Sequence, residues 1–135
     1  MLTATKILII AGVLHYAYSF ITGAAMGYVR LSEPAVPKYL TYVHVGAFMN
    51  GSMLLATTVA LEMSPIAERT ETWVAILLVA GAILLALKDT VNWLLKVEDD
   101  FREKRRPYGF IIGNLSALSS TTGLVILIVG VLRGI

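Results

Sequence analysis

The chain has 135 residues, of which 57% are hydrophobic and 15% are charged, and its formal net charge is +2. Soluble domains are about 45–50% apolar and about 25% charged, so this composition favours a protein embedded in a membrane. The small net charge argues against a nucleic-acid partner. The lack of cysteine in the sequence excludes disulfides, thiolate ligands and thiol catalysis.

Four apolar stretches dominate the sequence, and only the third contains charged residues, Lys88 and Asp89. Each is near the ~20 residues that cross a ~30 Å hydrocarbon core, and no soluble core of this size could bury four such helices. We therefore predict one integral membrane domain, residues 1–135, with helices over about 5–29, 39–62, 71–96 and 107–133. Short connections predict an all-α, four-transmembrane-helix bundle with up-down-up-down topology.

Lys and Arg are unevenly divided between the two ends of the predicted bundle. Cytoplasmic loops carry the excess of basic residues, so we place the first and third loops in the cytoplasm. This predicts a multi-pass protein of the cell inner (cytoplasmic) membrane. Seven basic residues lie on that side and three on the other: Arg30, Lys38, Lys96, Arg102, Lys104, Arg105 and Arg106, against Lys6, Arg69 and Arg133.

Several polar residues fall inside the predicted spans, where they are costly and usually mark function. Counted from the cytoplasmic end, helices two, three and four each place a polar group about 5–9 Å deep, whereas Asn50 and His15 lie about 17 and 20 Å deep. That shared level is a candidate site, although interhelical hydrogen bonding would also explain these residues. The set is His15, His44, Asn50, Lys88, Asp89, Asn92 and Asn114.

The segment around His44 combines a potential iron ligand with small residues. Four of them leave much of the nearby surface without bulky side chains: Gly46, Ala47, Gly51 and Ser52. They permit either a close helix crossing or a flat cofactor lying against the backbone. A histidine beside a slot suits haem, because neutral imidazole ligates iron, and a hydrogen-bonded packing histidine is the other interpretation.

Helix three carries a second group of polar side chains. Asp89, Asn92 and Lys96 share one of its faces, at i, i+3 and i+7. Either Lys88 and Asp89 form a local charge pair, or Asp89 and Asn92 line the site. In the second case Lys88 or Arg30 would pair with an acidic group of a cofactor.

His15 and His44 differ by about 12 Å in predicted depth. Two axial ligands of one haem iron must lie at nearly the same level, so we expect one protein ligand and one open position. This disfavours a b-type cytochrome electron carrier. We interpret His15 as a packing residue or as part of the deep end of a pocket with Tyr16 and Tyr18.

The segment 44–51 resembles a motif of two related families of small membrane isomerases, the styrene oxide isomerases and the hydroxylaminobenzene mutases. Both have a histidine followed six and seven residues later by Asn-Gly, as in His44, Asn50 and Gly51. The triplet Met49-Asn50-Gly51 is similar to the mutases, and Gly46 is similar to the epoxide isomerases. The four-helix layout suits both families over the whole chain.

Weaker similarities lie outside helix two. Asn92-Trp93 resembles an Asn-Trp pair of the mutases, and Thr22-Gly23 resembles a feature at the end of their first helix. In helix three the chain departs from both families. A tyrosine of the mutases corresponds to Thr90, and a tyrosine of the epoxide isomerases falls in the stretch 93–96, which has none. The tyrosines that could replace it are Tyr16, Tyr18, Tyr42 and Tyr108.

The resemblance implies a haem b protein, assembled as a homotrimer with haem near the subunit interfaces, and with His44 as the axial iron ligand. Asn50 lies about 120° around the helix from His44, so it could reach the haem of a neighbouring subunit more easily than its own. The predicted site residues are His44, Gly46, Gly51 and Arg30 for cofactor binding and Asn50, Asn92 and Asp89 for catalysis.

The activity expected from the resemblance is isomerisation with ferric haem as a Lewis acid. The mutase-like motifs favour rearrangement of an arylhydroxylamine such as hydroxylaminobenzene to an aminophenol, as in aromatic-compound degradation. Isomerisation of an aryl epoxide such as styrene oxide to an aldehyde is the alternative. An alternative from another class of protein is a small membrane transporter. A proton-coupled transporter would be expected to carry a carboxylate deep in the bilayer, whereas Asp89 lies close to one end of its helix.

Overall fold

The structure, a computed structural model, describes residues 3–98 and 107–134, and over these residues it contains helices and no strands. The helices are α1 (Thr3–Ser32), α2 (Lys38–Glu62), α3 (Glu68–Leu94) and α4 (Pro107–Gly134). All four are long and apolar enough to cross a membrane, which confirms the predicted all-α fold. Four of the basic residues used for the predicted orientation lie outside the described residues: Arg102, Lys104, Arg105 and Arg106.

Two helices extend beyond the apolar stretches from which they were predicted. The first, α1, continues to Ser32 and stops before Pro34, because the residue preceding a proline avoids the helical conformation. The third, α3, starts at Glu68, one turn before the expected residue 71, with Ala67 as its N-cap. Acidic side chains in the first turn of a helix are stabilised by its macrodipole, so the helix begins in a charged stretch.

The C-terminus of α3 is set by a backbone reversal at Lys96. This residue has a φ of 52°, in the left-handed region. The N–H of Val97 donates to Asn92 O at 2.9 Å, and the N–H of Lys96 donates to Trp93 O at 3.0 Å. These two bonds form a Schellman motif, which usually contains glycine. The helix therefore ends at Leu94 and not near residue 96.

The helices pack as two antiparallel hairpins, α1 with α2 and α3 with α4. Helix α3 contacts all three others, whereas α1 and α4 do not meet within the part of the chain that the structure describes. A buried apolar cluster joins the helices: Leu8, Leu54, Leu61, Val74, Leu78 and Leu127. Large apolar side chains such as Phe20 (76% exposed) and Leu118 (68%) cover the outside, as suits a surface facing lipid.

Glycine and serine bring the helix backbones close together within each hairpin. A Cβ atom on Gly51 would lie 3.0 Å from Gly12 O, and one on Gly12 would lie 3.1 Å from Gly51 O, so α1 and α2 cross in contact. Between α3 and α4, the Ser116 hydroxyl donates to Gly81 O at 2.7 Å. Close packing and interhelical hydrogen bonds of this kind stabilise helix pairs in a bilayer, where lipid tails are as apolar as the side chains.

Candidate functional site

His44 lies in the second turn of α2, and its ring contacts α1. The imidazole Nδ1 is 2.8 Å from Ser19 O and 3.2 Å from the Ser19 hydroxyl oxygen. That hydroxyl in turn donates to His44 O at 3.0 Å. Ser19 is buried, with 3% of its surface exposed. The two residues therefore join α1 and α2 through a compact set of hydrogen bonds in the apolar region.

The partner of Nδ1 determines the tautomer of a neutral His44 ring. A main-chain oxygen can only accept, so Nδ1 carries the hydrogen and Nε2 keeps its lone pair. The ring is partly exposed, and no hydrogen-bond partner of Nε2 is found among the described residues. Histidines that ligate metals commonly donate their other ring N–H to a carbonyl in this way, which orients the ring.

Gly23 completes the seat for the imidazole on α1, one turn after Ser19. A Cβ atom on Gly23 would lie 2.9 Å from His44 Cε1 and 3.2 Å from Nδ1. Any side chain here would therefore push against the ring. The Thr22-Gly23 pair was only a weak part of the motif resemblance, and Ser19 was not predicted at all. The spacing of Ser19 and Gly23, four residues apart on one helix face, was the available signal.

The small residues that follow His44 have different environments. Gly51 lies at the crossing with Gly12, and Ala47 is buried, with 1% of its surface exposed. Gly46 faces open space, because a Cβ atom there would meet nothing within 4 Å. Gly51 thus serves the close helix crossing, one of the two interpretations of this segment. Gly46 lies roughly 160° around the helix from His44, so the two residues point to different surfaces of α2.

Asn50 follows Gly46 by one turn and shares its side of α2. The amide nitrogen Nδ2 of Asn50 is buried and has no hydrogen-bond partner in the described part of the protein. Unsatisfied buried donors are uncommon in native proteins, and each calls for an explanation such as a functional role. Asn50 therefore has an unsatisfied donor that is enclosed within the subunit, on a different side of α2 from His44.

The polar group on α3 faces α4. The Lys88 Nζ atom lies 3.1 Å from Asp89 Oδ1, so these neighbours form the local charge pair that the sequence offered as one alternative. Asn92 is buried (3% exposed), and a Cβ atom on Gly109 of α4 would lie 2.9 Å from its Oδ1. Asn92 thus packs against α4, whereas His44 packs against α1.

Two other predicted polar residues lie near the surface. Arg30 is exposed in the last turn of α1, where lipid headgroups or an acidic group could reach it. Asn114 is also exposed and donates to Phe110 O of its own helix at 2.8 Å. This bond lies within α4, so it is not the interhelical hydrogen bond that was one explanation of the polar residues.

His15 lies nearer the N-terminus of α1 than the point where the His44 ring packs. Its Cβ atom is near Gly51, whereas His44 packs between Ser19 and Gly23. At 1.5 Å per residue, this separates the two histidines by about 9 Å along the helix axis. The His15 Nδ1 donates to Ala11 O at 2.8 Å within its own helix.

The tyrosines near these histidines make separate hydrogen bonds. The Tyr18 hydroxyl lies 2.6 Å from Thr90 Oγ1 on α3, and the Tyr16 hydroxyl lies 2.8 Å from Ser52 Oγ on α2. Tyr18 is thus the tyrosine whose hydroxyl reaches position 90, where the mutases have a tyrosine. It also lines a cavity together with His15, whereas Tyr16 packs beside Phe48, with ring centroids 5.2 Å apart.

Within the described residues, no group of three or more His, Asp or Glu side chains is arranged to hold a bare metal ion. A haem iron takes four ligands from its porphyrin and needs only one or two from the protein. No protein-family model matches the chain, and no curated protein or solved structure matches it. The chemistry of the site therefore has to be inferred from its own residues and from the motif resemblance.

Proposed function

We propose that the chain is a haem b-dependent membrane isomerase that rearranges a small aromatic substrate, with His44 as the axial ligand. The observation that carries this proposal is the His44 ring itself. Its Nδ1 is held by Ser19 O at 2.8 Å, and its Nε2 is left with a free lone pair at a partly exposed edge. Buried His15 also lacks a partner for Nε2, so the distinguishing feature of His44 is its partly exposed position, where a planar cofactor could reach the ring.

The residues around His44 fit a haem. Gly23 leaves room for the imidazole to pack against α1, and the Ser19 carbonyl orients the ring. When bound, ferric haem would supply a Lewis acid that polarises the bond to be broken in the substrate. The chain has no cysteine that could compete for the iron. Arg30, exposed at the end of α1, could pair with an acidic group of the cofactor.

The donor of Asn50 supports an oligomeric site. Asn50 and Gly46 lie about 120° and 160° around α2 from His44, so they cannot easily flank the cofactor of the same subunit. In a cyclic trimer, the His44 surface of one subunit would meet the Gly46–Asn50 surface of the next. The Asn50 amide, whose Nδ2 atom is buried within the subunit, would have to turn towards this interface to donate to the substrate oxygen. Gly46, which faces open space, would leave room for the flat cofactor.

The remaining residues orient the substrate and exclude water. In this proposal Asn92, which is buried against Gly109 of α4, would have to face a neighbouring subunit's cofactor to position the substrate oxygen, and Asp89 forms a charge pair with Lys88. The apolar interior of the bundle keeps water from capturing a cationic intermediate during the rearrangement. The reaction is an isomerisation, so no atom is gained or lost and no electron acceptor is needed.

For the substrate, we favour an arylhydroxylamine that is converted to an aminophenol by cleavage of its N–O bond and transfer of the oxygen to the ring. The Met49-Asn50-Gly51 triplet and the Asn92-Trp93 pair support this choice. Gly46 supports the alternative, an aryl epoxide that opens at a C–O bond and gives an aldehyde. Both substrates partition into lipid, which suits a site between transmembrane helices.

We further propose that the protein lies in the cell inner membrane with the first and third loops in the cytoplasm. The basic residues of these loops support that orientation. An electron carrier would need a second axial ligand, and His15, about 9 Å from His44 along α1, is poorly placed to supply it. This separation supports a site with one open iron position.

The first test is the absorption spectrum of the detergent-purified chain, beside His44→Ala and the matched histidine control His15→Ala. We expect a Soret band in the wild type and in His15→Ala, and its loss in His44→Ala. Hydroxylaminobenzene and styrene oxide are then assayed side by side. A wild-type protein without a Soret band after expression with ample haem would exclude the proposal.

A further inference from the structure

A groove in the outer surface between α1 and α3 is separate from the site at His44. It consists of two neighbouring cavities of about 300 and 340 Å³. Leu14, His15 and Ile83 line both cavities, so the two lie side by side. Leu14 and Ile83 are 62% and 52% exposed, which opens the groove towards the lipid. The volume is within the range of small-molecule sites in proteins.

The walls of the groove are almost entirely apolar, and the few polar atoms in them are hydrogen-bond acceptors. At one end, the Thr90 hydroxyl donates to Ala86 O at 2.6 Å. Thr90 Oγ1 must therefore accept the hydrogen of the Tyr18 hydroxyl, 2.6 Å away. Both hydroxyl hydrogens are thus used within the protein. What remains for a ligand at this end is a lone pair on the Tyr18 oxygen.

His15 supplies the second acceptor, in the part of the groove that both cavities share. Its Nδ1 donates to Ala11 O at 2.8 Å, so Nε2 of the neutral ring carries a lone pair. The side chain is buried, with 6% of the residue exposed. No hydrogen-bond partner of Nε2 is found among the described residues. An acceptor in an apolar setting without a donor is energetically costly, and a ligand with one donor would remove that cost.

We propose that this groove binds a small aromatic molecule with a single O–H or N–H donor, of the phenol or aniline class, and that His15 Nε2 accepts that hydrogen. The molecule enters from the lipid between Leu14 and Ile83. A lipid acyl chain fits the apolar walls less well, because it leaves the His15 acceptor unpaired. The site lies on the α3 side of α1, whereas His44 packs on α1 from α2. It therefore does not require a cofactor at His44.

The test compares two ligands that differ by one hydrogen-bond donor. The full chain in lipid nanodiscs is titrated with 4-fluorophenol and with 4-fluoroanisole, and binding is followed by fluorine NMR with empty nanodiscs as the reference for lipid partition. We expect 4-fluorophenol to bind about 2- to 12-fold more tightly, as one neutral hydrogen bond predicts. Equal affinities in the wild type would overturn the proposal and indicate a groove filled by lipid.

Four variants, one of them a matched control, locate the binding. His15→Phe keeps an aromatic ring but removes the acceptor, so it should abolish the preference for the phenol. Ala86→Phe fills the groove and should abolish binding of both ligands, and Ala117→Phe on the exposed side of α4 is its matched control. His44→Ala should retain the preference, which separates this site from the proposed haem site. A preference that survives both His15→Phe and Ala86→Phe would overturn the assignment.

Discussion

The imidazole of His44 and the backbone of Ser19 form a hydrogen bond of 2.8 Å between Nδ1 and the main-chain oxygen. The bond fixes the orientation and the tautomer of the neutral ring, because it places the hydrogen on Nδ1 and leaves a lone pair on Nε2. It depends on the path of α1 and not on the side chain of Ser19. Substitutions of Ser19 and Gly23 should therefore show which contacts orient the ring, because His44 itself stays unchanged.

Gly23→Ala should weaken the proposed haem binding and destabilise the protein. Its Cβ atom would lie 2.9 Å from His44 Cε1, so the ring must shift from Ser19. We expect a loss of roughly 1–3 kcal/mol in unfolding free energy, as for other overpacked sites, and a lower Soret absorbance per protein. Thermal unfolding in detergent and a haem titration measure the two effects.

Gly27→Ala is the matched control, one helical turn further along α1. A Cβ atom on Gly27 would meet nothing within 4 Å. Alanine should therefore leave haem binding unchanged and stabilise the helix by about 0.5–1 kcal/mol. If both variants behave alike, Gly23 does not form the seat of the imidazole.

Ser19→Ala should have a smaller effect than Gly23→Ala. It removes the hydroxyl that donates to His44 O at 3.0 Å, but it keeps the carbonyl that accepts from Nδ1. We expect a loss of about 0.5–1.5 kcal/mol in stability, the usual contribution of one hydrogen bond, with the Soret band retained. Loss of the band in a folded variant would show that the hydroxyl, and not the carbonyl, orients the ring.

Gly46→Leu tests whether a neighbouring subunit's cofactor lies against α2. The position faces open space within the subunit, so leucine should leave the unfolding temperature unchanged or raise it. In the proposed trimer the same side chain would obstruct the flat cofactor and lower the haem content. Gly27→Leu, also in open space, is the matched control and should keep full haem content. Equal haem content in the two variants would contradict the proposed position of the cofactor.

The sequence was sufficient for the four helices but not for the direction in which each polar residue points. Long apolar stretches predict spans because a bilayer requires them, and residue counting gives only predicted depths for Asn92 and His44. Rotation of a helix depends on which neighbours it packs against, and one sequence does not reveal that α3 places Asn92 beside Gly109 of α4. Ser19 was not predicted for a similar reason, since the hydroxyl of a serine in an apolar helix commonly donates only to a backbone carbonyl of its own helix.

Asn50→Leu should separate stability from activity. The Asn50 Nδ2 atom is buried without a hydrogen-bond partner among the described residues, so replacing the amide by an apolar group removes a cost of about 1–3 kcal/mol. We therefore expect an equal or higher unfolding temperature. The same change removes the donor proposed to orient the substrate oxygen, so turnover of hydroxylaminobenzene should fall by roughly 10²–10³-fold, as for loss of other preorganised donors. Haem content should stay constant. A variant that is less stable but equally active would show that Asn50 packs the bundle and does not act on the substrate.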